Sequence, residues 1–255
     1  MFTLGLDIAP THSAAVLVHF NTAVDDPVPT AEPVDHWFIT GQARVAKKAQ
    51  GRGVYLQPLK KGLDPEVLRM RRLEALRDML RRIRRHLADH GVSVPLVGVE
   101  GYHFGQRRPK RKGKDGKLED AAPSMSHAHD MGGSGDLVRF ILYNTGIPFR
   151  AYAVGQIRKL CCHHGNLAKP KAHGRILDRW PAVGQFDRYR FDTYPTTTED
   201  LIDAFAAGVT AGVEAMLRGG NLRMEQLQID AEREVFLTVS SLHKTNLLGI
   251  PPVAR

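Results

Sequence analysis

Four carboxylates stand in or at the ends of the most apolar segments of this chain, and they restrict the folds open to it. Asp7 closes the run LGLDIAP, Glu100 closes LVGVE in mid-chain, and Asp200 and Asp203 open the long segment EDLIDAFAAGVTAGVEAM. Carboxylates buried together repel one another and lose hydration, so such a set is stable only with strong positive charge among them. Two divalent cations supply that charge, and a pair of them can activate a water and stabilise a leaving oxygen in phosphodiester hydrolysis. Each position also has an ordinary reading. An Asp after a strand caps turns, a Glu can pair with one of the many arginines, and an acid in the first turn of a helix offsets its dipole. The last reading suits Glu199 and extends to Asp200. Asp203 lies deeper, among Leu201, Ile202, Ala204 and Phe205, in a helix apolar nearly all round. Residues three apart share a helix face, so Asp200 and Asp203 can enter one site.

The elements around these acids follow from periodicity. Residues 3–9 and 13–20 read as strands joined by a tight turn at 10–12, residues 21–33 as a Pro- and Asp-rich loop, and 34–40 as a third strand. Three strands in succession imply an antiparallel meander. Residues 41–63 carry no clear pattern. Asp64 as N-cap and Pro65 as first residue open a helix with Leu73, Leu76, Leu80, Ile83 and Leu87 on one stripe, which Gly91 ends. Seven arginines, at 71, 72, 77, 81, 82, 84 and 85, cover much of its remaining surface. They either face a polyanion or solubilise the outer side of the helix.

PLVGVE fits an interior parallel strand. Residues 106–123 form a charged insertion expected as a mobile loop. A helix over about 126–145 follows, then a strand at 148–154, a helical segment GQIRKLCCHHG, a helix at 171–180, an irregular stretch at 181–196, and a helix from about 198 to 217 capped by Thr197 or Thr198. Strands first, then alternating helix and strand, predict an α/β sheet with helices on both faces. Neighbouring strand ends can then unite Asp7 and Glu100.

With 255 residues and 42% hydrophobic content the chain can bury one good core. Its 36 Lys and Arg against 27 Asp and Glu give a net charge of +9, which points to a polyanionic partner, most simply nucleic acid. Cys161 and Cys162 are adjacent, so they support no disulfide framework. No N-terminal signal is evident, and no apolar run reaches the roughly 20 residues needed to span a bilayer. The expectation is a soluble protein of a reducing, intracellular compartment.

The order and spacing of these segments resemble RuvC-type Holliday junction resolvases, nucleases of the RNase H-like fold. The resemblance runs from Leu4 to about Met216. LGLDIAPTHSAAVLV resembles the family's first hairpin, and the arginine-rich helix followed by LVGVEGYHFG resembles the helix and strand that deliver its Glu. GGSGDLVRFILYNTGIPFRAYAVGQIRKL resembles the next helix, strand and helix. GNLAKPKAHGRIL is similar to the segment carrying a functional lysine, and DLIDAFAAGV to the closing Asp-x-x-Asp-Ala motif. No single motif is very specific; their order is.

The resemblance implies an α/β, RNase H-like fold with a central mixed five-stranded sheet, a meander then parallel strands, flanked by helices. The nuclease domain would span residues 1–218 with the insertion at 106–123, and residues 219–255 would be a C-terminal extension. Asp7, Glu100, Asp200 and Asp203 would bind two Mg²⁺ or Mn²⁺ ions, and Lys169 would approach the scissile phosphate or DNA backbone. Tyr102 or Phe104 would serve as a wedge at a junction centre, unless they are core residues. Arg107, Arg108, Lys110, Arg111 and Lys112 would contact the DNA backbone, giving affinity without sequence reading. The implied partner is a four-way junction cut by a homodimer in the bacterial cytoplasm or nucleoid. The departures, Ile8-Ala9-Pro10 after the first Asp and the long basic insertion, resemble phage- or mobile-element-encoded relatives.

Three other signals are set aside. Cys161-Cys162-His163-His164 cannot converge on one tetrahedral ion from a helix. His127 and His129 lie where the pattern is helical rather than strand-like. Gly132, Gly133 and Gly135 follow no nucleotide-binding strand and instead allow close approach to a strand or DNA. Rival readings are a nuclease for RNA–DNA hybrid or flap substrates, an inactive DNA-binding recombination accessory protein, and a sugar-kinase-like ATPase. The last lacks the required phosphate-binding Gly loops.

Overall fold

The computed structural model describes residues 1–9, 12–21, 30–49, 51–56, 65–101, 110–112, 118–120, 125–190, 196–227 and 229–240. Its central sheet has three antiparallel strands, β1 (Phe2–Ile8), β2 (Ser13–Asn21) and β3 (Thr30–Thr40). A short β4 (Gly53–Tyr55), reached through helix α1 (Ala43–Lys48), adds in parallel to β3. On the other side β5 (Val97–Gly101) runs parallel to β1, and β8 (Phe149–Ala153) parallel to β5. The strand order is β4-β3-β2-β1-β5-β8. This is the mixed meander-then-parallel layout expected for an RNase H-like fold, with β4 as a sixth strand at the meander edge. The patternless residues 41–63 gave no sign of it.

Alternation along the strands divides the core in two. Leu4, Leu6 and Ile8 of β1 join Ala15, Leu17, Val97 and Val99 under α2 (Pro65–Asp89) and α3 (Met125–Asn144). The opposite face carries Thr3, Gly5 and Asp7 of β1, beside Ala14, Val16, Val18 and Phe20 of β2. That face is covered by α4 (Val154–Cys162), α5 (Lys169–Arg179) and α6 (Thr196–Arg218).

At Gly5 and Gly98 helix α6 lies directly against the strand backbone. A Cβ added to Gly5 would stand 1.8 Å from the Ala204 carbonyl oxygen, and one on Gly98 would stand 2.2 Å from that of Ala207. Gly212 likewise admits the ring of Phe20, which would meet a Cβ at 2.1 Å. Thr3 Oγ1 donates to the Gly208 carbonyl at 2.8 Å. Two rows at four-residue spacing result: Asp200, Ala204, Gly208 and Gly212 over β1 and β2, and Asp203, Ala207 and Ala211 over β5.

Several local expectations change. β3 starts at Thr30, four residues inside the expected loop, because a register shift between Leu17 and Val18 accommodates Pro33 and turns Val34 outward. Residues 181–196, expected to be irregular, include a 3₁₀ segment, Pro181–Tyr189, that buries Val183, Phe186 and Tyr189 at three-residue steps. Thr197 and Thr198 lie inside α6 rather than capping it, and Thr198 Oγ1 donates to the Phe186 carbonyl. Part of the insertion forms a two-stranded ribbon, β6 (Lys110–Lys112) against β7 (Leu118–Asp120), rather than a loop throughout. In α3, Gly133 faces Arg69 of α2 and Gly135 has open space around it, so neither glycine approaches a strand. Asp64 lies outside the described residues.

Beyond residue 218, Leu222, Leu227, Val235 and Phe236 join the core, and α7 (Asp230–Ser240) docks on α4 and α5. Buried Glu232 there accepts from Arg179 at 2.9 Å and lies 3.1 Å from His163 Nε2. Among the described residues no helix is long and apolar enough to cross a membrane.

The α6 contact generates a stability prediction. Gly5→Ala forces a Cβ into backbone, which cannot swing aside as a side chain can. It should destabilise the fold by about 3 kcal/mol or more, whereas Gly135→Ala, with open space, should be neutral or mildly stabilising. Urea unfolding midpoints check both; an unshifted Gly5→Ala midpoint would remove the claim of direct helix–sheet contact.

Candidate metal centre

Asp7 and Glu100 come together because β1 and β5 are parallel neighbours. Leu6 pairs with Val99, so the next residue on each strand is an acid, and both acids share the α6 face with Gly5 and Gly98. The helix rows bring Asp200 and Asp203 down over these two strand ends. Carboxylate oxygens of Asp7, Glu100 and Asp203 lie within 4.8 Å of one another. Among the described residues they are the one group of three or more His, Cys, Asp or Glu side chains close enough to share a metal ion. Asp200 stands beside this triad, buried, and its Oδ2 has no hydrogen-bond partner.

Lys169 and His173 of α5 face the same acids. Lys169 Nζ lies 2.8 Å from Asp203 Oδ2 and 3.5 Å from Glu199 Oε2. His173 Nε2 lies 2.9 Å from Asp203 Oδ1. Pro170, beside Lys169 in the first helical turn of α5, fits where no intrahelical N–H bond is made.

The electrostatics show how poorly this cluster tolerates its own charge. Burial, then the charges of Glu100, Asp200 and Asp203, push the Asp7 carboxyl well above the usual range. Burial and Asp203 push Glu100 up to about 8. Burial pushes Asp200 up to about 7, with Asp203 and Glu199 adding to it against Lys169. Burial acts in the same direction on Asp203, but its hydrogen bond to His173 and the charges of His173 and Lys169 outweigh it, and its pKa falls. Lys169 is held protonated, because its attraction to Asp203, Asp200 and Asp7 exceeds its desolvation.

These features fit a divalent cation. Three hard oxygen donors converge, a fourth carboxylate has a buried oxygen without a hydrogen-bond partner among the described residues, and burial raises the pKa of three of the four acids. Asp7, Glu100 and Asp203 could hold such an ion, with Asp200 adjoining.

Lys110, Arg111 and Lys112 lie in β6, opposite Asp120, Glu119 and Leu118 respectively. Tyr102, Phe104, Arg107 and Arg108 lie outside the described residues, and of His127 and His129 only their place in α3 is described. Cys161 and Cys162 are buried, with Cys161 Sγ donating to the Ala206 carbonyl and Cys162 Sγ to that of Ala172. Burial pushes the Cys162 thiol up, which suits a core thiol rather than a metal ligand.

Two histidines were not singled out from the sequence. His173 is four residues after Lys169, a spacing that puts both on one helix face and was available as a signal. His12, after the β1 turn, has its pKa lowered by burial and by the nearby charges of Lys169 and Arg72. That proximity comes from tertiary packing and leaves no sequence signature.

Among solved structures the chain is similar to Thermus thermophilus RuvC, at 14% identity and a TM-score of 0.46, over 82% of this chain and 91% of that one. It is also similar to T. thermophilus RuvC in complex with a Holliday junction substrate, at 14% identity and a TM-score of 0.47 with the same coverage. No family model and no curated protein sequence matches the chain.

The raised acids predict an unusual pH dependence. Asp7, Glu100 and Asp200 bind protons more tightly folded than unfolded, so their contribution to stability is full at low pH and is lost as pH rises through the folded values. Asp203 has the opposite sign, its contribution being lost only in acid. Metal-free protein should therefore lose stability between about pH 4 and pH 8. Asp7→Asn should melt higher than wild type at pH 8 in chelator, and added Mg²⁺ should stabilise wild type there more than the variant. Thermal melts across pH check this; a flat wild-type profile would contradict the buried repulsion.

Proposed function

We propose that this chain is a metal-dependent endonuclease that hydrolyses phosphodiester bonds in branched DNA, acting on four-way junctions. The convergence of Asp7, Glu100 and Asp203 within 4.8 Å, beside Asp200 and Lys169, carries the reading. The net charge of +9 suits a polyanion. The ordered resemblance of five segments to junction resolvases supports branched DNA over other nucleic acids. Two Mg²⁺ or Mn²⁺ ions would supply Lewis-acid stabilisation of phosphate charge and a water of lowered pKa.

The residues of the chain divide the remaining tasks. Asp7 and Glu100, fixed on adjacent strands, give the site a rigid base. Asp200 and Asp203, fixed on α6, close it from above. Lys169, 2.8 Å from Asp203 Oδ2, is suited to meet a phosphate oxygen that gains charge. His173 orients Asp203. The basic insertion and the arginines of α2 contribute backbone contacts that weaken with salt. Action as a homodimer, with two such sites for two opposed strands, belongs to the same proposal.

The test compares wild type with Asp7→Asn and Asp203→Asn on a labelled four-way junction, a duplex and an RNA–DNA hybrid, with Mg²⁺ and with chelator. Paired nicks confined to the junction, metal-dependent and reduced about a thousandfold or more in each variant, are expected. Cleavage of hybrid alone would replace the substrate assignment. Binding without cleavage under any metal would replace the enzyme by an accessory protein.

A further inference from the structure

Both oxygens of Asp203 are occupied by α5. Lys169 Nζ lies 2.8 Å from Oδ2 and His173 Nε2 lies 2.9 Å from Oδ1. One turn of helix separates the two donors, so a single rigid face grips the carboxylate from both sides. Yet Asp203 is also one of the three acids whose oxygens converge. An ammonium and a divalent cation compete for the same lone pairs, and each disfavours the other at short range.

The two donors differ in freedom. Lys169 is 38% exposed along its side chain, on a flexible stem, and has a second acid within reach, Glu199 at 3.5 Å. His173 is only 9% exposed and sits on a short, stiff side chain. One can leave without being stranded; the other is held by its packing.

On this basis, and resting on the metal-dependent reading above, we propose that Lys169 is the resident counter-cation of the site. A divalent cation displaces it from Asp203 Oδ2 as the site loads, while His173 retains Oδ1 and positions the carboxylate. Partners behind a ligand commonly fix its orientation in this way. The released ammonium keeps Glu199 as an acidic neighbour and becomes available to an anionic substrate. Metal loading and phosphate capture are thereby linked: the metal-free site withholds its lysine from the substrate.

Calorimetric titration with Mn²⁺ and thermal melts in chelator test the exchange on the full chain. Lys169→Met should melt lower than wild type in chelator, having lost its counter-charge, and yet bind Mn²⁺ about tenfold tighter, having lost the competitor. His173→Ala should bind Mn²⁺ several-fold more weakly, and His173→Gln, whose amide can still donate to Oδ1, should recover most of the loss. Lys169→Gln gives the same comparison should the methionine variant fail to fold. Unchanged or weakened Mn²⁺ affinity in the lysine variants overturns the exchange alone. A His173→Gln variant no better than His173→Ala overturns the positioning role. Absence of Mn²⁺ binding by wild type overturns the metal reading itself, and the exchange with it.

Discussion

The contact of α6 with the backbone of β1 and β5 fixes the geometry on which the candidate site depends. Most helices ride on a sheet at a distance set by their side chains. Here Gly5 and Gly98 on the strands, facing Ala204, Ala207 and Gly208 on the helix, let the two backbones meet. At these two glycines no flexible side chain intervenes, so the separation there is set by hard cores rather than by rotamers. The acids follow from the same alternation. Asp7 is two residues from Gly5 and Glu100 two from Gly98, so each shares its strand face with the glycine that admits the helix. The device that brings α6 close also aims the strand acids at it.

Two groups of buried acids show two solutions to the cost of burying charge. Glu214 of α6 is fully buried between Arg150 and Arg218, and Tyr152 donates to its second oxygen at 2.7 Å. Its lone pairs are engaged and its charge is overmatched, so it ties β8 to α6 and needs nothing further. At the strand ends Lys169 and His173 engage Asp203, Asp200 Oδ2 has no hydrogen-bond partner among the described residues, and burial raises the pKa of Asp7, Glu100 and Asp200. Paired arginines thus offset the burial of Glu214, whereas burial and acidic neighbours hold the Asp7 carboxyl well above its usual range. That contrast sets a structurally paired acid apart from a cluster whose carboxylates are raised by burial and by one another.

Much of this was legible because the signals are local. Asp7 and Glu100 stand out by ending apolar strands, and the three-residue spacing of Asp200 and Asp203 assigns them one helix face. The glycines at 5 and 98 were equally legible by period-two alternation, although the sequence reading rested on the acids. Other features have no local cause. β4 exists because β3 offers it an edge, the start of β3 depends on a register shift opposite Leu17 and Val18, and the 3₁₀ segment is shaped by what Phe186 and Tyr189 must fill. The grip of His173 on Asp203 joins residues thirty apart in sequence. Pairings of that kind are decided by tertiary packing, which overrides local propensity.

The same geometry redistributes the positive charge that the sequence presents as one resource. In the β6–β7 ribbon, Lys110 is in register with Asp120 and Arg111 with Glu119. The arginines of α2 are not equivalent either. Arg72 lies near His12, and Arg69 near Gly133, at the end of the sheet where Asp7 and Glu100 emerge. Arg84 instead borders an apolar groove with Leu4, Val97 and Pro148, where those strands begin. Because exposed charges are screened over about 10 Å at moderate salt, the net charge of +9 overstates what acts at the site. Lys169 is placed among the acids themselves, 2.8 Å from Asp203 Oδ2 and 3.5 Å from Glu199 Oε2.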